Sequence, residues 1–373
     1  MVLKKIFLSL VWFFAGLTFA ISIGVRNGYN LGPSLIVISS LGLFVLKPQW
    51  KVLKKEDRVL FWTFFIFSIS MFFAAYVDVG GAMRDLDLPS RYLLALPVMF
   101  LLLIGLNQKE WLWYGVICGP IIALFVALYD LLVLGDSRAH GWEHPILFGN
   151  IAMLLGFLSF SAAIYFFSQK NFYLLSFALI GGVCGVAVSV LSGTRGGWVA
   201  VPLLLFFLFW ECRDLLSKKT LKMVSAIICT SIFLLVAIPQ TGVQTRAGQA
   251  VENITSYING ETDTSVGLRF EMWKAAIYMF KESPLLGVGG SQAKNIRKEL
   301  AEKGYISVNA VDFSTAHNEY LEALAERGIV GLVFLLGLYL IPLKLFLRKF
   351  ELFLTCFWVF FIEKSNCFFS LNY

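Results

Sequence analysis

The sequence predicts an all-α polytopic membrane protein, and three observations carry that prediction. Of the 373 residues, 58% are hydrophobic and only 15% are charged. With a mean hydropathy of +0.76, that is more apolar surface than a soluble domain hides. Apolar runs recur along most of the chain, and a bilayer core of ~30 Å needs about 20 such residues per helix. The basic residues gather in short segments on alternate sides of those runs, which is the orientation signal of a membrane protein.

The runs fall near 6–24, 32–46, 59–77, 92–106, 111–134, 148–168, 172–191, 198–210, 223–239, 328–347 and 351–362. They make about eleven to twelve spans. The first run follows Lys4 and Lys5 and resembles a signal peptide. With so many spans behind it, it reads as an uncleaved first helix. With the N-terminus inside, the inner loops carry Lys47, Lys51, Lys54, Lys55 and Arg58, then Lys109, Lys170, Arg213, Lys218, Lys219 and Lys222, then Lys344, Arg348 and Lys349. The short outer loops carry only Arg26, Arg84, Arg91, Arg138 and Arg195. Residues 1–239 thus hold the first nine or so spans, 240–327 form a large helical loop on the outer, periplasmic side, and 328–373 hold the last spans. An odd span count leaves the C-terminus outside. The tail after Phe350 therefore reads as truncated, as frameshifted, or as a run that does not cross.

The net charge of +7 does not point to nucleic acid, because the basic residues sit in loops between apolar runs and no nucleic-acid motif accompanies them. The six cysteines, Cys118, Cys184, Cys212, Cys229, Cys356 and Cys367, lie in or beside apolar segments. They form no disulfide framework and no Cys-x-x-Cys metal pair.

The outer loop is patterned as helices. Over 268–282, Phe270, Trp273, Ile277 and Phe280 share one face, an amphipathic helix expected on or near the membrane interface. Pro284 and the run Gly287-Val288-Gly289-Gly290 end it. Ser291 is expected to cap a second helix running to Gly304. Thr315 is expected to cap a third, ending near Gly328. His317 on that helix would share a face with Leu321 and Leu324 and point toward the membrane body.

Four groups of residues have the chemistry for a site. Arg195 stands in Ser192-Gly193-Thr194-Arg195-Gly196-Gly197-Trp198, between two apolar runs. Arginine near hydrocarbon is costly, about 2.5–3.5 kcal/mol at a helix centre. A guanidinium grips phosphate oxygens two at a time, and flanking glycines let backbone approach an anion. The competing reading is an arginine that snorkels to headgroups. Arg269, at the start of the amphipathic helix, is the second phosphate candidate; otherwise it is a solvated charge. Arg84 and Arg91 share the outer side and are further candidates for substrate binding, against ion pairing with Asp85 and Asp87. His317, one of three histidines, sits where the outer loop re-enters the membrane. An imidazole titrating near 7 suits a general base for a hydroxyl nucleophile, an effect of about 10²–10⁴-fold. The competing reading is a histidine that bonds backbone at a helix start. Asn318 beside it is a further substrate-binding candidate.

Two metal readings are weaker. His140 and His144 are four apart, but Gly141 and Pro145 spoil a regular helix and no third ligand is evident. Asp85 and Asp87 have nearby arginines competing for both carboxylates. No metal or other cofactor is expected, and no phosphate-binding loop, dinucleotide fingerprint or nucleophile elbow is present.

The pattern His317-Asn318, nine residues, Gly328, two residues, Gly331 resembles the signature of the O-antigen ligase and polymerase superfamily. Arg269-x3-Trp273 and Pro284-Leu285-Leu286-Gly287-Val288-Gly289 are similar to what that superfamily carries upstream, and Thr194-Arg195-Gly196 resembles its earlier arginine site. The resemblance covers roughly residues 80–345. It implies a helical membrane scaffold of the GT-C kind, with about twelve spans and both ends cytoplasmic, one more than this chain displays. It implies transfer of a glycan from undecaprenyl pyrophosphate to the lipid A–core oligosaccharide at the periplasmic face of the inner membrane, inverting and metal-independent. Arg195 and Arg269 would hold the donor pyrophosphate, and His317 would activate the acceptor hydroxyl. Partners would be the two lipid-anchored substrates and membrane lipids, with no nucleic acid.

The residues fit that chemistry. A lipid pyrophosphate leaving group needs its charge stabilised at the membrane surface, which two arginines can do. A neutral alcohol acceptor needs a base. The nearest rival is an O-antigen polymerase, then a protein oligosaccharyltransferase of the same superfamily. A lipid-glycan transporter would carry charges inside several spans, whereas here Asp130 is the main exception in nearly charge-free runs.

Overall fold

The computed structural model describes residues 2–78, 86–104, 108–194, 201–212, 243–313 and 315–369, with isolated residues between 198 and 226. The described residues are helical, with no strand among them, as an all-α polytopic membrane protein requires. The helices are α1 (Val2–Ile21), α2 (Gly28–Ser40), α3 (Leu43–Leu46), α4 (Lys55–Val77), α5 (Asp87–Ile104), α6 (Glu110–Tyr129), α7 (Pro145–Ser168), α8 (Phe172–Leu191), α9 (Val201–Cys212), α10 (Val243–Ile258), α11 (Gly267–Glu282), α12 (Gly290–Glu302) and α13 (Glu319–Phe369).

Among the described residues, 8 stretches are long and apolar enough to cross a membrane. They coincide with the first seven predicted runs and with 328–347. Within the run at 198–210, α9 is described over 12 residues, with undescribed residues on both sides. The run at 223–239 lies largely outside the described residues. The predicted break between the last two runs does not appear: α13 continues through it and is interrupted instead at Gly328.

The chain divides into two compact units: Met1–Pro48 with Pro97–Ile238, and Gln49–Leu96 with Pro239–Tyr373. In the first, α6, α7 and α8 pack around Ala123, Ala127, Phe148, Ala152 and Val188. Lipid tails are as apolar as leucine, so such helices associate by close backbone approach and by internal hydrogen bonds. Both devices are present. A Cβ added at Gly185 would lie 2.5 Å from the Ala152 carbonyl oxygen, so α7 and α8 nearly touch there. The buried Ser159 hydroxyl reaches the Val116 and Leu155 carbonyls, each at 2.9 Å.

The second unit sets α4 beside α13, with Phe67, Leu335 and Leu338 buried and Tyr92 edge-on to Phe67 at 4.9 Å. A second cluster packs α11, α12 and the start of α13 around Ala275, Ala276, Met279, Ala293, Leu300, Ile306 and Ala325. The α11 helix forms where periodicity predicts it, but its buried face is Gly267, Glu271, Met272, Ala275, Ala276 and Met279. Ile277 is exposed, and Phe270, Trp273 and Phe280 are only half-buried. Three small residues, two methionines and a carboxylate form the inner face because α12 and α13 pack close and Glu271 finds partners. The Tyr257 hydroxyl donates to Glu271 Oε1 at 2.7 Å and the Ser307 amide to Oε2 at 2.6 Å. Burial and Glu271 push the Tyr257 phenol up to about 12, so it stays a donor throughout the neutral range.

Candidate functional site

The site is built around one residue, Ala316, whose two backbone polar groups are held from opposite directions. The Trp273 indole Nε1 on α11 donates to its carbonyl oxygen at 2.9 Å. Its amide donates to the carboxylate of Glu322 in the first turn of α13. Both bonds use the only two hydrogen-bonding groups an alanine offers, and the residue is buried.

His317 follows this clamp. It is exposed, with φ 49°. Left-handed backbone costs an ordinary L-residue roughly 1–2 kcal/mol, and such strain collects at functional sites. The helix therefore does not start at Thr315, and His317 does not lie on it. Asn318 is the cap: its Oδ1 accepts the Tyr320 amide at 3.1 Å and the Leu321 amide at 3.3 Å. With the ring on the turn before the helix, the expected face shared with Leu321 and Leu324 is lost. The imidazole instead stands edge-on to Phe313, ring centres 6.1 Å apart.

Arg269 lies exposed in the first turn of α11, one helical turn before Trp273 and on the same side. The helix that carries this guanidinium thus also grips the residue before His317. Glu322 is backed by Arg297 of α12, which is buried. Burial pulls the Arg297 guanidinium below its ordinary pKa, while Glu322 and Glu326 pull it back up. Neither Glu322 nor Arg297 stands out in the sequence. The available signal was the position of Glu322, an acidic group one turn into a capped helix and able to reach back to a free amide.

The motif glycines have a structural role. Gly328 adopts φ 63°, ψ −161° and breaks α13. The freed backbone groups are taken by the turn at Pro284–Gly289. Ile329 N–H donates to Pro284 O at 2.9 Å and Val330 N–H to Leu285 O at 3.3 Å; in return Val288 N–H reaches Ala325 O at 2.9 Å and Gly289 N–H reaches Glu326 O at 3.0 Å. A Cβ at Gly328 would sit 2.3 Å from Leu285 O, and one at Gly287 would sit 2.2 Å from the Glu326 carbonyl carbon. At the entry to α12, Gly289 rather than Ser291 holds the cap position. Asp78, from the end of α4, accepts the Ser291 amide at 2.9 Å and the Ser291 hydroxyl, placing negative charge at a helix N-terminus.

In the other unit, Arg195 lies outside the described residues, but the turn leading to it is well defined. Arg138 Nε donates to Ser192 O at 2.7 Å, and the Thr194 hydroxyl donates to Pro145 O at 2.8 Å. Arg84 and Asp85 also lie outside the described residues. Arg91 pairs with Asp87 one turn away on α5, at 2.8 and 3.1 Å, both groups largely exposed. His140 and His144 do not converge. His144 caps α7 through the Ile146 amide at 3.3 Å, with Pro145 in the first helical position. His140 Nε2 meets Asp136 at 3.1 Å. Asp130, the charge at the end of a span, is buried and accepts the His140 and Gly141 amides at 2.9 and 2.7 Å.

Residues 180–336 match the family model described as O-Antigen ligase. An uncharacterized protein of Haemophilus influenzae (strain ATCC 51907 / DSM 11121 / KW20 / Rd) is 28% identical over 328 residues, covering 87% of this chain and 82% of that protein. An O-antigen ligase of Escherichia coli (strain K12) is 28% identical over 196 residues, covering 50% of this chain and 44% of that ligase.

Proposed function

From the match of residues 180–336 to the O-Antigen ligase family model, we propose that this chain is a ligase of that kind, transferring a glycan from undecaprenyl pyrophosphate to a sugar hydroxyl of lipid A–core oligosaccharide. The reaction is placed at the periplasmic face of the inner membrane, with 240–327 as the periplasmic loop. The acceptor oxygen attacks the anomeric carbon as the bond to pyrophosphate breaks, with inversion. His317 takes the hydroxyl proton. Arg195 and Arg269 neutralise the charge that develops on the departing pyrophosphate, the electrostatic role that donors fixed in advance perform best. Arg84 and Asn318 are secondary contacts to substrate, and Arg91 is the weakest of the group because Asp87 engages it.

The observation that carries this reading is the clamp on Ala316. It fixes the backbone before an exposed imidazole and ties it to the helix that bears Arg269. A base that serves a large lipid-anchored acceptor must be both immobile and accessible, and this turn is both.

The test is complementation of a bacterium that lacks its own O-antigen ligase but makes the matching polymer and core. The parent chain is expected to restore the lipopolysaccharide ladder. His317→Ala, Arg269→Ala and Arg195→Ala, at equal membrane abundance, are expected to lose it, with His317→Ala reducing transfer by about 10²-fold or more. A ladder undiminished in His317→Ala would remove the general base from this reading. A parent chain that fails here yet restores chain length in a polymerase-deficient host would be a polymerase.

A further inference from the structure

Beside α4, the second unit holds a cavity of about 470 Å³, within the size range of ligand sites. It takes no part in the proposed reaction. Its wall follows α4 from Phe65 to Asp78, about 20 Å of helix at 1.5 Å per residue. That is somewhat more than one leaflet of a hydrocarbon core of ~30 Å. Along this length the lining is apolar, with Ile66, Ile69, Phe73 and, from α13, Val330 and Phe334. At the end where α4 leaves its span the lining turns polar, with Asp78, Gln292, Glu326 and Arg327.

The polar end carries both signs of charge, and Arg297 of α12 stands close enough to Glu326 to interact with it. Glu326 Oε1 and Asp78 Oδ2 converge, lying 3.5 and 3.7 Å from the point a Cβ on Gly290 would occupy. Arg327 turns its Nη1 onto the Met71 sulfur at 2.9 Å, and its buried Nε has no hydrogen-bond partner. Among the described residues no ion pair joins Arg327 to either carboxylate. A thioether is a weak acceptor for a group with five donors, and two converging carboxylates favour a cation between them.

We propose that this groove binds a zwitterionic membrane phospholipid with an amine headgroup, of the phosphatidylethanolamine type. One acyl chain lies along α4. The phosphate oxygens accept from Arg327, and the ammonium sits against Asp78 and Glu326. Charge complementarity selects this occupant: an anionic headgroup would satisfy Arg327 alone and bring its charge up to two carboxylates. A polyprenyl phosphate is disfavoured on the same ground, so the inference stands apart from the transfer reaction.

The test is native mass spectrometry of the purified full chain in detergent, titrated separately with phosphatidylethanolamine, phosphatidylglycerol of the same acyl chains, and undecaprenyl phosphate. Phosphatidylethanolamine is expected to bind roughly tenfold more tightly than either, the fold-change of one charge-assisted hydrogen bond. Asp78→Asn, which removes a carboxylate facing the ammonium, is expected to remove that preference, and Val330→Trp, which fills the groove without touching its polar end, to abolish binding. Equal affinity for the two phospholipids, tighter binding of undecaprenyl phosphate, or phosphatidylethanolamine binding unchanged in both variants would each overturn the proposal.

Discussion

Two turns, one in each unit, lead into residues with chemical roles in the proposed reaction, and they are held in contrasting ways. In the Ser192–Thr194 turn, Ser192 and Thr194 are buried, and the turn is secured by links to two separate carbonyls, Ser192 O from Arg138 and Pro145 O from the Thr194 hydroxyl. The turn before His317 is secured at one peptide position only, by Trp273 on one side and Glu322 on the other, and leaves the next side chain in the open. The first arrangement suits a group that must present a fixed charge at the membrane surface. The second suits a group that must exchange a proton with a bulky incoming acceptor. Rigidity comes from burial in one case and from a two-sided grip on an exposed loop in the other.

The largest expected effect tests the support beneath the second turn. Gly328→Ala puts a side chain into a glycine-only backbone region and against Leu285 O, and is expected to cost roughly 3 kcal/mol or more, read as a lower Tm of the purified chain. An unchanged Tm would mean that the interlocked turn is not needed for stability. Next comes Glu322→Ala, which leaves the Ala316 amide and the buried Arg297 without this carboxylate. About 2–3 kcal/mol is expected for such a charged partner, together with loss of the ladder, whereas Glu322→Gln should retain part of both. Thr194→Val removes the hydroxyl that donates to the Pro145 carbonyl and is expected to cost about 1 kcal/mol, while Trp273→Phe forgoes one half-buried hydrogen bond for a similar amount. The comparison sharpens if Trp273→Phe lowers transfer out of proportion to its stability cost, and it breaks if the two variants behave alike in both readouts. Arg91→Ala is expected to be the mildest change, at most about 0.5 kcal/mol for an exposed pair one helical turn apart.

Most of the membrane architecture was legible because apolar length is a strong one-dimensional signal: the first seven runs and the one after Gly328 reappear as helices long and apolar enough to cross a membrane. What was not legible depends on partners far away in sequence. The inner face of α11 was not legible because alanines and a carboxylate carry little weight in a periodicity argument, while close packing against α12 and α13 selects the alanines and a satisfied Glu271. Ser291 and Thr315 were natural caps by residue type, yet Gly289 and Asn318 hold those positions. Ser291 is engaged by Asp78, 213 residues away. The motif around His317 was visible as spacing, but its physical content was not. Gly328 is there to interlock with Leu285, and the four-residue interval from Arg269 to Trp273 lets one helix turn carry a guanidinium and the next grip a loop.

The interlock at Gly328 also bears on how the chain is made. Where the helix breaks, the amides of Ile329 and Val330 have lost the acceptors that helical continuity would provide, and an unpaired backbone group costs several kcal/mol in hydrocarbon. Their acceptors, Pro284 and Leu285, lie some forty residues earlier and leave the ribosome first. Synthesis therefore supplies the lock before the bolt, and the span that begins at Gly328 finds its acceptors already made when it emerges.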